Sequence, residues 1–66
     1  MTYYEIIKYY YGSDKKDNYG GGYTAEDVKS IMKGLKKEIC EVDPLTTFYY
    51  KKNSKFYYIV SEYNAE

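Results

Sequence analysis

The 66-residue chain has one cysteine, one proline, no histidine and no tryptophan. A single cysteine excludes both an internal disulfide and a metal site built from several cysteines. Small secreted domains usually carry several disulfides, so we expect a reducing compartment, the cytoplasm. The chain also lacks an apolar run near the ~18 residues of a membrane span and a basic-then-apolar leader. We therefore expect no membrane association.

An excess of charge of either sign is also absent, because ten basic residues balance ten acidic ones. Nucleic-acid-binding domains usually have a basic excess, so the composition does not favour that class. The apolar fraction of 44% includes twelve tyrosines, and much of the core must therefore consist of tyrosine rings. A chain this short has room for one domain, residues 1–66. Its abundant lysine, tyrosine, isoleucine and asparagine are typical of AT-rich coding and indicate a virus, a plasmid or a host with an AT-rich genome as the source. A viral protein would act in the cytoplasm of its host cell.

The segment after Thr24 predicts a helix over residues 25–40. Thr24 and Asp27 have the spacing of a capping box, and Gly34 weakens the middle of the helix. Pro44 prevents continuation beyond residue 43. Apolar residues recur every three or four positions and define one stripe: Val28, Ile31, Met32, Leu35 and Ile39. We expect Val28, Ile31, Leu35 and Ile39 to be buried against a sheet.

Residues 45–51 and 55–63 are rich in aromatic and β-branched residues and predict a hairpin. With Asn53 and Ser54 at the centre of the turn, the expected cross-strand pairs are Tyr50 with Tyr57, Tyr49 with Tyr58, and Phe48 with Ile59. Alternation then assigns Leu45, Tyr49, Phe56, Tyr58 and Val60 to one face, and Phe48, Tyr50, Tyr57, Ile59 and Tyr63 to the other. A slip of one residue in one strand would exchange the two sets of that strand.

The N-terminal residues 3–11 fit either a strand or a short helix. Tyrosine and isoleucine dominate this segment and favour strands, so we predict a strand. Residues 12–23 are polar and contain Gly20, Gly21 and Gly22, which predicts a loop. The expected fold is α+β, a small two-layer β-α-β-β domain with a three-stranded antiparallel sheet and one helix packed on one face.

A single helix covers one face of the sheet, so tyrosines should be exposed on the other. Tyrosine combines a large contact area with a hydroxyl and is enriched at the energetic centres of interfaces. Tyr50 and Tyr57 are the leading candidates, and Tyr49 and Tyr58 replace them if the hairpin register slips. The full set of predicted partner-binding residues is Tyr50, Tyr57, Tyr49, Tyr58, Tyr9, Tyr11, Lys51 and Lys52.

Nothing in the sequence predicts a catalytic residue, a cofactor site or a metal site. Cys40 has no histidine to activate it as a nucleophile. Asp14, Asp17 and Asn18 miss the spacing of a calcium loop, and the glycines at 20–22 lack the lysine that ends a phosphate-binding loop. We therefore expect a protein that is not an enzyme and acts by occupying a surface.

Two functions remain open. The first is a protein-binding module, because in size, coding bias and lack of catalytic groups the chain resembles small viral inhibitors, including anti-CRISPR proteins. This resemblance implies stoichiometric inhibition of a host protein or protein complex, and a homodimer is an additional possibility. The alternative is a single-stranded nucleic-acid-binding protein that stacks bases on the tyrosine face. Its basic rim would come from lysines expected on the outer side of the helix and at the hairpin turn: Lys29, Lys33, Lys36, Lys37, Lys51, Lys52 and Lys55.

Overall fold

The computed structural model describes residues 1–65, which form one antiparallel sheet of five strands and one short helix. In chain order the elements are β1 (Thr2–Tyr10), β2 (Lys16–Tyr23), α1 (Ala25–Ile31), β3 (Lys36–Ile39), β4 (Thr46–Tyr50) and β5 (Phe56–Asn64). The strands lie in the order β2-β1-β5-β4-β3. No helix within residues 1–65 has the length and apolar character needed to span a membrane.

The N-terminal segment is a strand, as predicted, and lies in the interior of the sheet. β1 pairs with β5 along its whole length, from Thr2 opposite Asn64 to Tyr10 opposite Phe56. The amide of Ala65 extends this pairing by donating a hydrogen bond to the carbonyl of Met1 at 3.0 Å. The tyrosine- and isoleucine-rich composition agrees with this interior position, because such residues pack well on a pleated surface.

The predicted three-stranded β-α-β-β fold is wrong, because the sheet has five strands. One missed strand is β2, which occupies the segment predicted to be a loop. The pairing of β1 with β2 shifts register between Tyr4 and Ile6 and again between Ile6 and Ile7. Gly20 and Gly22 both have a φ of 84°, a conformation that glycine adopts without steric cost. Glycine thus allows a bulged edge strand where composition indicated a loop.

The predicted start of the helix is confirmed, but its predicted length is wrong. The amide of Asp27 donates to Oγ1 of Thr24 at 3.2 Å, and the amide of Thr24 donates to Oδ2 of Asp27 at 3.0 Å. The helix ends at Ile31, and Gly34 then adopts a φ of 86°, a left-handed turn that reverses the chain. The rest of the predicted helix contains β3, the second strand that the prediction missed.

The core forms where α1 packs on one face of the sheet, around four buried residues: Ile6, Val28, Met32 and Val60. Of the four residues expected to be buried on the helical stripe, burial is confirmed for Val28 alone. Leu35 is half-buried, whereas Ile31 is 42% exposed and Ile39 is 54% exposed. Their exposure follows from the early end of the helix, which leaves Ile31 in its last turn and places Ile39 on an edge strand.

The register of the β4–β5 hairpin is as predicted. Tyr50 lies opposite Tyr57, Tyr49 opposite Tyr58 and Phe48 opposite Ile59. The turn itself is centred one residue earlier than expected. The amide of Ser54 donates to the carbonyl of Lys51 at 3.0 Å, and Asn53 adopts a φ of 68°. The central turn residues are therefore Lys52 and Asn53.

Candidate partner-binding face

The face of the sheet opposite α1, here called the open face, carries three tyrosines side by side. Tyr9 on β1 lies opposite Tyr57 on β5, which lies opposite Tyr50 on β4. These three residues form the tyrosine row. The rings of Tyr9 and Tyr57 stack with centroids 5.4 Å apart and planes 14° apart. Within residues 1–65, no helix covers this row.

Tyr11 extends the row at the end of β1. Its ring centroid lies 4.9 Å from that of Tyr57, with the planes tilted by 39°. Its amide donates to the carbonyl of Lys55 at 3.0 Å, which continues the pairing of β1 with β5 beyond the last strand residue. The side chain is 59% exposed. Tyr11 thus presents a large aromatic surface on a backbone that is fixed in place.

A shallow groove of about 630 Å³ lies beside the row. Its lining includes Tyr11, Tyr57, Tyr50, Phe48 and Glu38, together with the turn residues that follow β1. The groove is therefore mainly aromatic, and its polar groups include tyrosine hydroxyls, the hydroxyl of Ser13 and the carboxylate of Glu38. Such a surface can bury apolar area and also make oriented hydrogen bonds.

Lysines lie at both ends of the tyrosine row. On edge strand β2, Lys16 pairs with Tyr9, and on edge strand β3, Lys36 pairs with Tyr50. The next cross-strand row is different, because Asn18 pairs with Ile7 at one edge and Glu38 pairs with Phe48 at the other. The charge on the rim of the open face is therefore mixed.

A second pair of tyrosines lies at the far end of the open face. The rings of Tyr3 and Tyr63 are 6.3 Å apart and tilted. The hydroxyl of Tyr63 accepts a hydrogen bond from the amide of Gly22 at 2.7 Å. A Cβ atom on Gly21 would lie 2.7 Å from the same hydroxyl, so this approach requires glycine. The glycines of β2 therefore also fix the position of a tyrosine on the open face.

The predicted partner-binding residues lie in three places. Tyr9, Tyr11, Tyr50 and Tyr57 lie together on the open face, whereas Lys51 and Lys52 are exposed at the β4–β5 turn next to one end of the row. Tyr49 and Tyr58 lie on the helix side, where both pack against the core. The register did not slip, so Tyr49 and Tyr58 do not lie on the open face with Tyr50 and Tyr57.

The environments of Tyr49 and Tyr58 reflect their place on the helix side. Partial burial raises the pKa of Tyr49. Partial burial, with a further contribution from the hydroxyl of Tyr19, raises the pKa of Tyr58 to about 12. In both cases desolvation disfavours the charged phenolate.

A separate cluster of aromatic residues fills one end of the helix side. The ammonium of Lys8 lies 4.3 Å from the ring centroid of Phe56 and 5.2 Å from that of Tyr10. The hydroxyl of Tyr10 donates to Oδ2 of Asp17 at 2.6 Å, and this hydrogen bond raises the pKa of Tyr10. The charged groups of Lys8 and Asp17 thus interact with aromatic side chains of the protein itself.

The sequence pattern missed several residues of the open face. Lys16 was missed because its strand looked like a loop, whereas Lys36 was expected on the outer side of a helix and not on an edge strand of the sheet. Phe48 was placed on the correct face but was not selected as a candidate. Alternation around Phe48 already indicated its position, whereas the two lysines had no comparable signal because their strands were not predicted.

No metal site stands out in the described part of the chain, where no three residues among Cys, Asp and Glu cluster closely enough to hold an ion. Cys40 is a half-buried free thiol. No protein-family model, curated protein or solved structure matches the chain.

Proposed function

We propose that this protein binds another protein through the tyrosine row and acts without catalysis. The observation that carries the proposal is the placement of Tyr9, Tyr57 and Tyr50 side by side on the face opposite α1. Tyrosine is among the residues that contribute most binding energy at the centres of protein interfaces. Three adjacent copies on neighbouring strands give a continuous surface for such a centre.

The contacts between the rings prepare this surface for binding. Tyr57 is already stacked on Tyr9 and touches Tyr11, so its rotamer is restricted before a partner arrives. Ordering a mobile side chain on binding costs about 0.5 to 1.5 kcal/mol. The row avoids part of that cost because the sheet and the neighbouring rings hold it.

A protein partner fits the open face better than a nucleic acid does. Bases stack on exposed ring faces, but the stacking of Tyr57 on Tyr9 covers one face of each ring. The open face carries Glu5 and Glu38 as well as lysines, and the net charge of the chain is zero. Such a mixture of charges suits the polar periphery of a protein interface.

Single-stranded nucleic acid remains the second candidate because of one specific observation. Lys16 and Lys36 lie at opposite ends of the tyrosine row, where they could contact phosphates on either side of stacked bases. Binding of this kind should weaken steeply between about 50 and about 200 mM salt. A tyrosine-centred protein interface should change little over that range.

The narrower prediction concerns the identity of the partner. A host protein complex, such as a CRISPR effector or another defence machine, is proposed from chain size, coding bias and the lack of catalytic groups. Such an inhibitor would act stoichiometrically. A second copy of the chain is another possible occupant of the open face, and light scattering over a concentration series would detect the resulting dimer.

The test is affinity capture from host lysate with the wild-type protein and with matched variants. Tyr11→Ala alters an exposed ring, Tyr50→Ala alters the row, and Ile31→Ala alters an exposed apolar residue on the helix side as a control. We expect the wild-type protein to capture a protein partner, and we expect this capture to persist after nuclease treatment. The two tyrosine variants should lose the partner, and Ile31→Ala should retain it. Release by nuclease would favour nucleic acid, and equal capture by all variants would contradict the proposal.

A further inference from the structure

The helix side of the sheet is wider than the single helix that lies on it. Strands are spaced about 4.8 Å apart, so five strands span about 19 Å between the outer two. A helix with its side chains is about 10 to 12 Å wide, and two helices would be needed to cover the sheet. α1 lies over β1 and β2. The part of this side formed by β4 and β3 has no such cover within residues 1–65.

A groove of about 700 Å³ occupies the place beside α1. Core residues Val28, Met32 and Val60 reach into its lining, and Ile39 and Leu45 form its apolar outer part. Ile39 is 54% exposed and Leu45 is 52% exposed. The groove is thus continuous with the hydrophobic core and leaves large aliphatic side chains in contact with water.

The charges around this groove are mainly positive. Among residues 1–65, Lys29, Lys33 and Lys37 line it, against the one carboxylate of Glu62. That carboxylate accepts a hydrogen bond from the hydroxyl of Tyr4 at 3.2 Å. Asp43, which lies next to Pro44 of the lining, accepts hydrogen bonds from the amide of Leu45 and the hydroxyl of Thr46. An occupant should therefore carry acidic groups beside an apolar surface.

We propose that an amphipathic helix of a partner protein, apolar on one side and acidic on its flanks, lies in this groove next to α1. The free width beside α1 matches one helix, and an apolar stripe would complete the layer that α1 begins. Helices that bind in this way place residues at positions i, i+3, i+4 and i+7 into a hydrophobic groove. A helix also satisfies its own backbone hydrogen bonds and needs no sheet edge.

A displayed library of amphipathic helices tests this proposal. Each peptide has about 18 residues, or five turns, with a fixed leucine stripe and flanking positions drawn from Glu, Gln and Lys. Selection against the wild-type protein should enrich Glu at the flanks. No enrichment of any helix, or enrichment of Lys, would overturn the proposal.

Variants of exposed residues then locate the binding site. Ile39→Glu should lower the affinity for the enriched peptide by at least about tenfold, because it places a carboxylate in the apolar groove beside the acidic flanks of the peptide. Val42→Glu is the matched control, since Val42 is 93% exposed and does not line the groove. The double change Lys29→Glu with Lys33→Glu should reverse the preference toward Lys. Equal binding by the wild type and Ile39→Glu would contradict the assignment.

Two further measurements distinguish the groove beside α1 from the open face and from a lipid-binding surface. Tyr50→Ala should bind the selected peptide normally, because the open face is a different surface, and so a failure of one proposal leaves the other intact. Vesicles rich in phosphatidylglycerol should not bind. The proposal would be overturned if the protein bound these vesicles, Ile39→Glu abolished that binding, and no acidic helix was enriched. The groove would then be assigned to a lipid surface.

Discussion

The two faces of the sheet differ most clearly at neighbouring isoleucines of β1. Ile6 points to the helix side and is fully buried among core residues, whereas Ile7 points to the open face and is half-buried. On β5 the two neighbours Tyr57 and Tyr58 are both half-buried, but Tyr58 packs against the core and Tyr57 belongs to the tyrosine row. Alternation along a strand gives identical residues different roles. One face carries the buried core, and the other carries the tyrosine row.

The largest expected effect compares the two isoleucines directly. Ile6→Ala should lower the free energy of unfolding by about 2 to 5 kcal/mol, because it leaves a cavity under α1. Ile7→Ala should cost clearly less, because Ile7 is already partly in contact with water. Urea unfolding followed by circular dichroism measures both values. Equal losses of unfolding free energy for the two variants would contradict the difference in burial between the two faces.

A second pair of neighbours tests the short helix. Met32→Ala should lower the free energy of unfolding by about 2 kcal/mol or more, since Met32 is buried against the sheet. Ile31→Ala should cost less than about 1 kcal/mol, since Ile31 is exposed. The measurement is the same denaturant titration. A larger loss of unfolding free energy for Ile31→Ala than for Met32→Ala would contradict the exposure of Ile31 and favour the long helix that the sequence pattern predicted.

A smaller effect is expected at the start of α1. Thr24→Ala should lower the free energy of unfolding by about 1 kcal/mol, because it removes the side-chain oxygen that accepts the amide of Asp27. Thr24→Ser keeps that oxygen and should restore most of the stability. Thermal unfolding of the two variants tests this difference, and equal stabilities would argue against the capping box.

The smallest effect concerns alkaline pH and the helix side. The unfolded chain loses the Tyr58 proton near pH 10, whereas the folded chain holds it up to about 12. Between these values the unfolded state binds fewer protons, so the free energy of unfolding falls as pH rises. Tyr58→Phe should reduce this fall. Urea unfolding across the window is the measurement, and an unchanged pH dependence would show that Tyr58 does not contribute.

Local signals predicted the central strands but not the edges. The predicted hairpin register is correct although the turn is centred one residue earlier than predicted, and alternation placed Tyr50 and Tyr57 on the open face. The helix was predicted too long because Leu35 and Ile39 are four residues apart, and residues at i and i+4 share a side in a strand as well as in a helix. Gly34 was the local sign that the helix ended.

The missing strand β2 has a different cause. Its sequence is polar and rich in glycine, so its strand propensity is low, and it forms by pairing with β1 at the edge of the sheet. Contacts between distant segments, which a local pattern does not contain, decide its structure. The position of Lys16 and Lys36 at the two ends of the tyrosine row was not predicted for the same reason, because each lies on an unpredicted edge strand.

The central claim is that the tyrosine row forms the centre of a protein interface, and calorimetric titration of a captured partner tests it most directly. The account predicts saturation at a fixed molar ratio and a loss of about 2 kcal/mol, or about thirtyfold in affinity, for Tyr57→Ala. Ile31→Ala on the helix side should bind like the wild type. A folded Tyr57→Ala variant with unchanged affinity would contradict the claim.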